Sequence, residues 1–261
     1  MLKNKTIFIT GASSGIGKVC ARQCAAAGAH LIICARHRDV LSPFAQQLQE
    51  EFGVEVQCFS LDVQQRMQVA ALINTREEPW KSVDILINNA GLAAGLDALQ
   101  EGSIDDWETM IDTNVKGLLY VTRAILPQMI KRNSGHVVNI GSIAGHQVYP
   151  KGAVYCATKQ AVNALSRALR MDLMGTNIRV STVDPGAVET NFSKVRFKGD
   201  EKRAAAVYED MTPLQPEDVA DAILYCITRP PHVNVNEIII MPTDQASATM
   251  VYRHPKTIKN E

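Results

Sequence analysis

Two side chains in residues 152–175 (GAVYCATKQAVNALSRALRMDLMG) could together do acid–base chemistry, Tyr155 and Lys159. Apolar residues at Ala153, Val154, Ala157, Ala161, Leu165, Ala168, Leu169 and Leu173 recur at helical spacing without a proline, and Gly175 closes the run as a C-cap. Four residues apart on one helix, the phenol and the ammonium project from one face. A phenol titrates at about 10, and a neighbouring ammonium favours the phenolate. The spacing therefore predicts that Lys159 draws the Tyr155 pKa down toward the range of an acid–base catalyst. Alone, the pair fits a solvated helix face equally well, so the rest of the chain decides.

A second stretch with chemistry lies near the start. Residues 6–10 (TIFIT) form a short β-rich run. It opens into Gly11-Ala12-Ser13-Ser14-Gly15-Ile16-Gly17, then a helical pattern through Val19, Ala21, Cys24, Ala25 and Ala26 that ends at Gly28. In a strand–turn–helix context such glycines let the backbone approach a diphosphate, and the first helical turn aims unpaired N–H groups at its charge. The next strand, 30–35 (HLIICA), runs into Arg36-His37-Arg38, with the nearest acid only at Asp39. An acid at this strand end binds the ribose 2′-hydroxyl of NAD, whereas a guanidinium matches the 2′-phosphate of NADP. These residues predict NADP(H).

Strands over 54–61, 83–88, 135–141, 177–183 and 236–241 follow. Between them lie helices over 39–52, from beyond Asp62-Val63 to about 78, and over 104–131, 152–175 and 216–227. Near-continuous apolar strands alternating with helices predict a single doubly wound α/β domain over 1–261, its seven-stranded parallel sheet covered on both faces. Asn114 sits in an otherwise apolar helix and needs partners there. Residues 187–212 are polar and poorly periodic, with a helical piece at 201–208, and they follow a strand's carboxyl end. They read as a substrate lid, and 242–261 as a C-terminal surface arm.

Lys plus Arg equals Asp plus Glu at 27 each, so net charge is zero and nothing points to nucleic acid or an anionic membrane. No apolar stretch nears the ~20 residues of a bilayer crossing, and no secretory h-region is present, so the expected location is the cytoplasm. The six cysteines form no C-x-x-C pair and the six histidines do not cluster with them; buried reduced thiols and no metal are expected.

Taken together, TGASSGIG, the NNAG of residues 88–91, Asn114, Ser142, Y-x-x-x-K and the PG of Pro185 and Gly186 resemble the short-chain dehydrogenase/reductase family across nearly the whole chain. The resemblance implies an enzyme in which Tyr155 is the general acid/base, Lys159 lowers its pKa and bonds the nicotinamide ribose, Ser142 holds the substrate oxygen, and Asn114 organises a water-linked relay. For the cofactor it implies the turn residues Gly11, Ser13, Ser14, Gly15, Ile16 and Gly17 at the diphosphate, and Arg36 with Arg38 at the 2′-phosphate. Asp62 and Val63 would contact adenine, Asn88, Ala90 and Gly91 the ribose side, and Pro185, Gly186, Val188 and Thr190 the nicotinamide end.

Within the family, residues 91–98, 107–118, 189–200 and 238–243 are similar to the NADP-dependent branch acting on small 3-hydroxy acids or their semialdehydes. A small carboxylate substrate calls for a cationic donor, and Arg196 is expected to bind it, with Gln147 beside the site. A homotetramer is the implied assembly. Reduction of sulfoacetaldehyde, a 3-oxoacyl group or a ketone stays open, as does an NADP-sensing protein without turnover.

Overall fold

A computed structural model of the protein describes residues 2–74 and 82–255. The strand β1 (Thr6–Thr10) is buried along its whole length and pairs in parallel with β2 (His30–Ala35) on one side and β4 (Ile85–Asn88) on the other. With β3 (Val56–Ser60), β5 (Gly135–Ile140), β6 (Ile178–Pro185) and β7 (Glu237–Ile240), the order is β3-β2-β1-β4-β5-β6-β7 and every pairing is parallel. The chain builds outward from β1 to β3, then returns to lay β4 on the other edge of β1. That reversal opens a crevice at the strands' carboxyl ends.

Alternation along the strands divides the core between the two faces. Ile7, Ile9, Leu31 and Ile33 pack on one side with α1 (Gly15–Ala26), α2 (Arg38–Phe52) and α9 (Pro216–Ile227). Phe8, Ile32, Leu86 and Val137 pack on the other with α3 (Arg66–Asn74) and α5 (Leu118–Arg132). The remaining helices are α4 (Ile104–Ile111), α6 (Ala153–Asp172), α7 (Phe192–Arg196) and α8 (Glu201–Ala206). The predicted doubly wound architecture is the observed one.

Three departures from expectation have local causes. The single helix expected over 104–131 is α4, a π-helical turn Asp112–Gly117, then α5. Asn114 makes the partners it needed: Oδ1 accepts from Leu92 N at 2.9 Å, while Nδ2 donates to Leu92 O at 2.8 Å and Thr158 Oγ1 at 3.1 Å. An amide tied to a neighbouring loop is the kind of site where a helix widens to i→i+5. Second, residues 187–212 hold a helix, α7, that their polarity concealed. Third, the expected surface arm is, over 242–254, tied to the body of the domain. Buried Gln245 accepts from Ala187 N at 2.8 Å, Ala248 N donates to Gln147 Oε1 at 2.7 Å, and His254 N donates to Asp210 O at 2.7 Å, strapping this segment across 187–212. The stretch expected to be helical over 75–78, and residues 256–261 of the expected arm, lie outside the described residues.

A buried polar chain ties the central strands to the helices. Asn88 Nδ2 donates to Thr122 Oγ1 and Asn139 Oδ1, both at 2.9 Å, and Asn139 Nδ2 donates to Ser166 Oγ at 2.8 Å. Removing one partner strands the others, which costs about 1–3 kcal/mol. Asn88→Ala should lower the unfolding free energy in urea by that amount and leave nucleotide affinity within about twofold, because its amide faces away from the crevice.

Candidate functional site

The crevice holds a cavity of about 670 Å³. Gly11, Ser13, Ser14, Gly15 and Ile16 line it from the β1–α1 turn, Arg36 and His37 from the end of β2, Asp62 and Val63 from beyond β3, and Ala90 and Gly91 from beyond β4. Ser142 enters after β5, Tyr155 and Lys159 from α6, Pro185 from the end of β6, and Gly186, Val188 and Thr190 from beyond it. Most of the sequence-predicted set is thus brought to one place.

The turn is shaped for an anion. Gly11 and Gly15 adopt φ of +67° and +52°, the left-handed region that glycine alone enters freely. A Cβ on Gly17 would lie 2.4 Å from Gly11 O, so Gly17 does not line the cavity but lets the turn close beneath it. Ser14 precedes α1 in extended conformation without a side-chain cap, leaving the first helical N–H groups to face the cavity. Asn89 locks this arrangement: its Nδ2 donates to Thr10 O at 2.9 Å and Gly11 O at 3.0 Å, while Thr10 Oγ1 accepts from Asn89 N at 3.0 Å and Ala90 N at 2.9 Å.

Three further expected contacts are corrected. The side chain of Asn88 points into the buried chain described above, because adjacent residues of a strand face opposite sides; Asn89 is the one beside the turn. Arg38 starts α2 and is absent from the cavity wall, which leaves Arg36 to present the guanidinium. Gln147 is likewise absent from the wall, its oxygen taken by Ala248 N. Asn114 stands behind the wall: a Cβ built on Gly91 would sit 3.3 Å from Asn114 Oδ1 and 3.5 Å from Lys159 Nζ, so the missing side chain leaves room for both groups.

Tyr155, Lys159 and Ser142 are all buried. Lys159 Nζ donates to Ile140 O at 2.9 Å, and the Ser142 hydroxyl accepts from Ala144 N at 3.1 Å and stands near enough to the Tyr155 phenol to lower its pKa. Burial sets the electrostatics. It pushes the Tyr155 phenol well above its ordinary value, reinforced by Tyr149 and offset in part by the Ser142 hydrogen bond and Arg196. Burial also lowers Lys159 to about 8 against the pull of Asp184. The expected depression of Tyr155 by Lys159 is therefore not found here. The ammonium lies 6.0 Å from the phenol ring centre and is aimed at a backbone carbonyl, and loss of hydration outweighs it.

Arg196, on α7, reaches the site with its geometry fixed. Its Nε donates to Gly95 O at 3.0 Å and Nη1 to Tyr149 Oη at 3.1 Å, and the guanidinium carbon lies 5.5 Å and 5.8 Å from the ring centres of Tyr149 and Tyr155. Phe192 meets Tyr155 edge-on at 5.6 Å. The sequence reading missed Tyr149, Phe192 and Asn89. Only Asn89 had a signal, the doubled amide of NNAG.

A doubly wound parallel sheet with a glycine turn and a buried Tyr–Lys–Ser group at its switch point defines a nucleotide-dependent α/β enzyme fold. The short chain dehydrogenase profile matches residues 5–201, and the chain belongs to that family. It is 45% identical over 243 residues to the NADP-dependent 3-hydroxy acid dehydrogenase YdfG of Salmonella typhimurium, covering 93% of this chain and 96% of that one. Identity to the NADP-dependent 3-hydroxy acid dehydrogenase of Schizosaccharomyces pombe is 44% over 253 residues, covering 97% and 98%. Among solved structures, the closed form of a serine dehydrogenase complexed with NADP+ superposes with a TM-score of 0.89 at 42% identity, covering 96% of this chain and all of the other.

Lys159 carries a measurable cost. Its folded pKa of about 8 lies below the unfolded value of 10.5, so the folded state binds fewer protons between them and stability rises with pH across that window. Below about 8 the full penalty of a buried ammonium is present; above 10.5 it is gone. Lys159→Met should therefore stabilise the protein by about 1–3 kcal/mol at pH 7, after allowing for the Ile140 carbonyl left without its donor. The gain should shrink as urea titrations move from pH 7 to pH 10.

Proposed function

We propose that this protein transfers a hydride between NADP(H) and C3 of a small 3-hydroxy acid, such as L-serine, 3-hydroxypropionate or 3-hydroxyisobutyrate, or the matching semialdehyde. The observation that carries the reading is the meeting of Tyr155, Ser142 and Lys159 in one buried cleft beneath the guanidinium of Arg196. The relatives named above, which bear NADP-dependent 3-hydroxy acid dehydrogenase names over nearly full length, support it.

The cleft fits the cofactor. Gly11, Gly15 and the open first turn of α1 cradle a diphosphate, Arg36 faces the 2′-phosphate, and Asp62 and Val63 flank adenine. Pro185, Gly186, Val188 and Thr190 wall the nicotinamide end, beside which Lys159 holds the ribose. When bound, the nicotinamide supplies or accepts the hydride. In reduction, Ser142 holds the carbonyl oxygen and Tyr155 gives it a proton. Its raised pKa keeps the phenol protonated at neutral pH and so suits this donor role. In oxidation, Tyr155 must act as the phenolate that takes the hydroxyl proton, and the Lys159 cation is the nearby charge that favours that form. Asn114 borders Lys159 behind Gly91 and serves the relay by which the proton leaves. Arg196 binds the substrate carboxylate, and residues 187–212 close over it as a lid that excludes water. A cytoplasmic homotetramer belongs to the same reading, on the strength of the family resemblance.

A panel of L-serine, 3-hydroxypropionate, 3-hydroxyisobutyrate, sulfoacetaldehyde and a plain ketone, followed by NADPH absorbance, tests the assignment. The 3-hydroxy acids should have the highest kcat/KM; a preference for the ketone, or no turnover with any of them, overturns it. In the active assay Tyr155→Phe should cut kcat by about 10²–10⁴-fold with NADP affinity unchanged. Arg36→Ala should weaken NADP by about tenfold or more and NAD little, since a charged hydrogen bond contributes about 1.5–3 kcal/mol; equal losses for both would remove the 2′-phosphate from Arg36.

A further inference from the structure

His146 follows the short turn Ile143–Gly145 that Ser142 caps. Its Nε2 lies 3.6 Å from Asp184 Oδ2, 3.5 Å from Glu237 Oε1 and 3.0 Å from Asn163 Nδ2. Asp184 is wholly buried on β6. Its Oδ1 accepts from the Ser142 N–H at 3.1 Å, while Oδ2 has no hydrogen bond, nor does Asn163 Oδ1. A carboxylate buried with one oxygen unpaired needs a donor or counter-charge, and His146 is the side chain facing that oxygen.

The backbone is cut to make this arrangement. A Cβ on Gly141 would fall 1.8 Å from Asp184 Oδ1, and one on Gly145 would fall 2.7 Å from Asn163 Nδ2. Glycines therefore flank Ser142 on both sides so that Asp184 and Asn163 can press against the loop that carries it. The groups facing the imidazole are Asp184 from β6, Glu237 from β7 and Asn163 from α6. Behind them on α6 stand Arg167, 3.8 Å from Glu237, and Lys159, which feels Asp184.

We propose that His146 is a positioning residue for Ser142: it holds the Asp184 carboxylate charged and turned onto the Ser142 N–H, and joins that buried pair to Glu237 nearer the surface. This rests on the reading of Ser142 as the hydroxyl that holds the substrate oxygen. Burial pushes the Asp184 carboxyl up and the His146 charge pulls it back. Removing His146 leaves only the Ser142 N–H and Thr182 to oppose burial and Glu237, so the Asp184 carboxyl shifts further up, its grip on the Ser142 N–H weakens, and the hydroxyl loses its place beside Tyr155.

Carbon-13 NMR of aspartate-labelled protein reads the first half of this directly and needs no turnover. In His146→Leu the Asp184 carboxyl should titrate about one pH unit or more above wild type. In His146→Gln, which keeps a donor without the charge and guards against a misfolded leucine variant, it should rise in the same direction. Kinetics read the second half: His146→Leu should lower kcat about tenfold with the KM for NADPH unchanged, and should add no further loss in an Asp184→Asn background. An unmoved Asp184 midpoint in both His146 variants overturns the proposal. So does an equal loss of kcat from His146→Leu in the Asp184→Asn background. Loss of wild-type activity on chelation, restored by zinc, would put a cation among His146, Asp184 and Glu237 and overturn it too. A raised midpoint in protein that turns over no 3-hydroxy acid supports the His146–Asp184 link and sinks the functional reading instead.

Discussion

Taking an ammonium out of water costs several kcal/mol unless its new surroundings repay it, and Lys159 is set in the cleft with its hydrogen bond on the carbonyl of Ile140. Much of the surrounding structure follows from that placement. The carbonyl is available because β5 ends at Ile140 and the chain turns away to present Ser142. The ammonium reaches it because α6 crosses the sheet with Lys159 one turn beyond Tyr155. Gly91 keeps the opposite wall thin enough for Asn114 to stand close by. A cation kept uncomfortable in this way gives up its proton far more readily than a surface lysine. The Tyr155 phenol holds its own proton the more tightly for the same reason, the loss of water around it.

Charge is laid out along the cleft in the order a phosphorylated dinucleotide and a small anion would need. Arg36 stands at one end, beyond β2; the helix N-terminus and glycine turn occupy the middle; Lys159 and Arg196 stand at the other. Arg196 is braced by Gly95 and Tyr149 and so loses little freedom when it meets an anion. The ring contacts with Tyr149 and Phe192 place Tyr155 between aromatic and cationic neighbours, and the resulting dryness keeps the phenol protonated.

Sheet and helices were readable because each buried strand is an unbroken apolar run bounded by turn residues, and each covering helix has one apolar stripe. Tyr155 and Lys159 were readable once their spacing stood beside the chain's other motifs, and the glycine turn from its place between strand and helix. What stayed hidden depends on contacts between segments distant in sequence. The NNAG amides look alike as letters; the pleat of β4 sends Asn88 inward and leaves Asn89 to the turn. Asn114 was marked as needing partners, but only the position of Leu92 and Thr158 turns that need into a widened helix. Burial reversed the expected effect on Tyr155, since a sequence gives the spacing of two charges and not the water between them. His146 offered no pattern at all: Asp184 and Glu237 come from strands decades of residues away.

The wall of the nucleotide cleft takes in Gly11 near one end of the chain and Gln245, Ala248 and Thr249 near the other. At about 5–20 residues per second, translation separates those two contributions by roughly 10–50 s. During that interval the glycine turn exists without the segment that completes its enclosure. Nucleotide present in the cell thus adds its full binding free energy to the finished domain and not to the growing chain, which must find its sheet unaided.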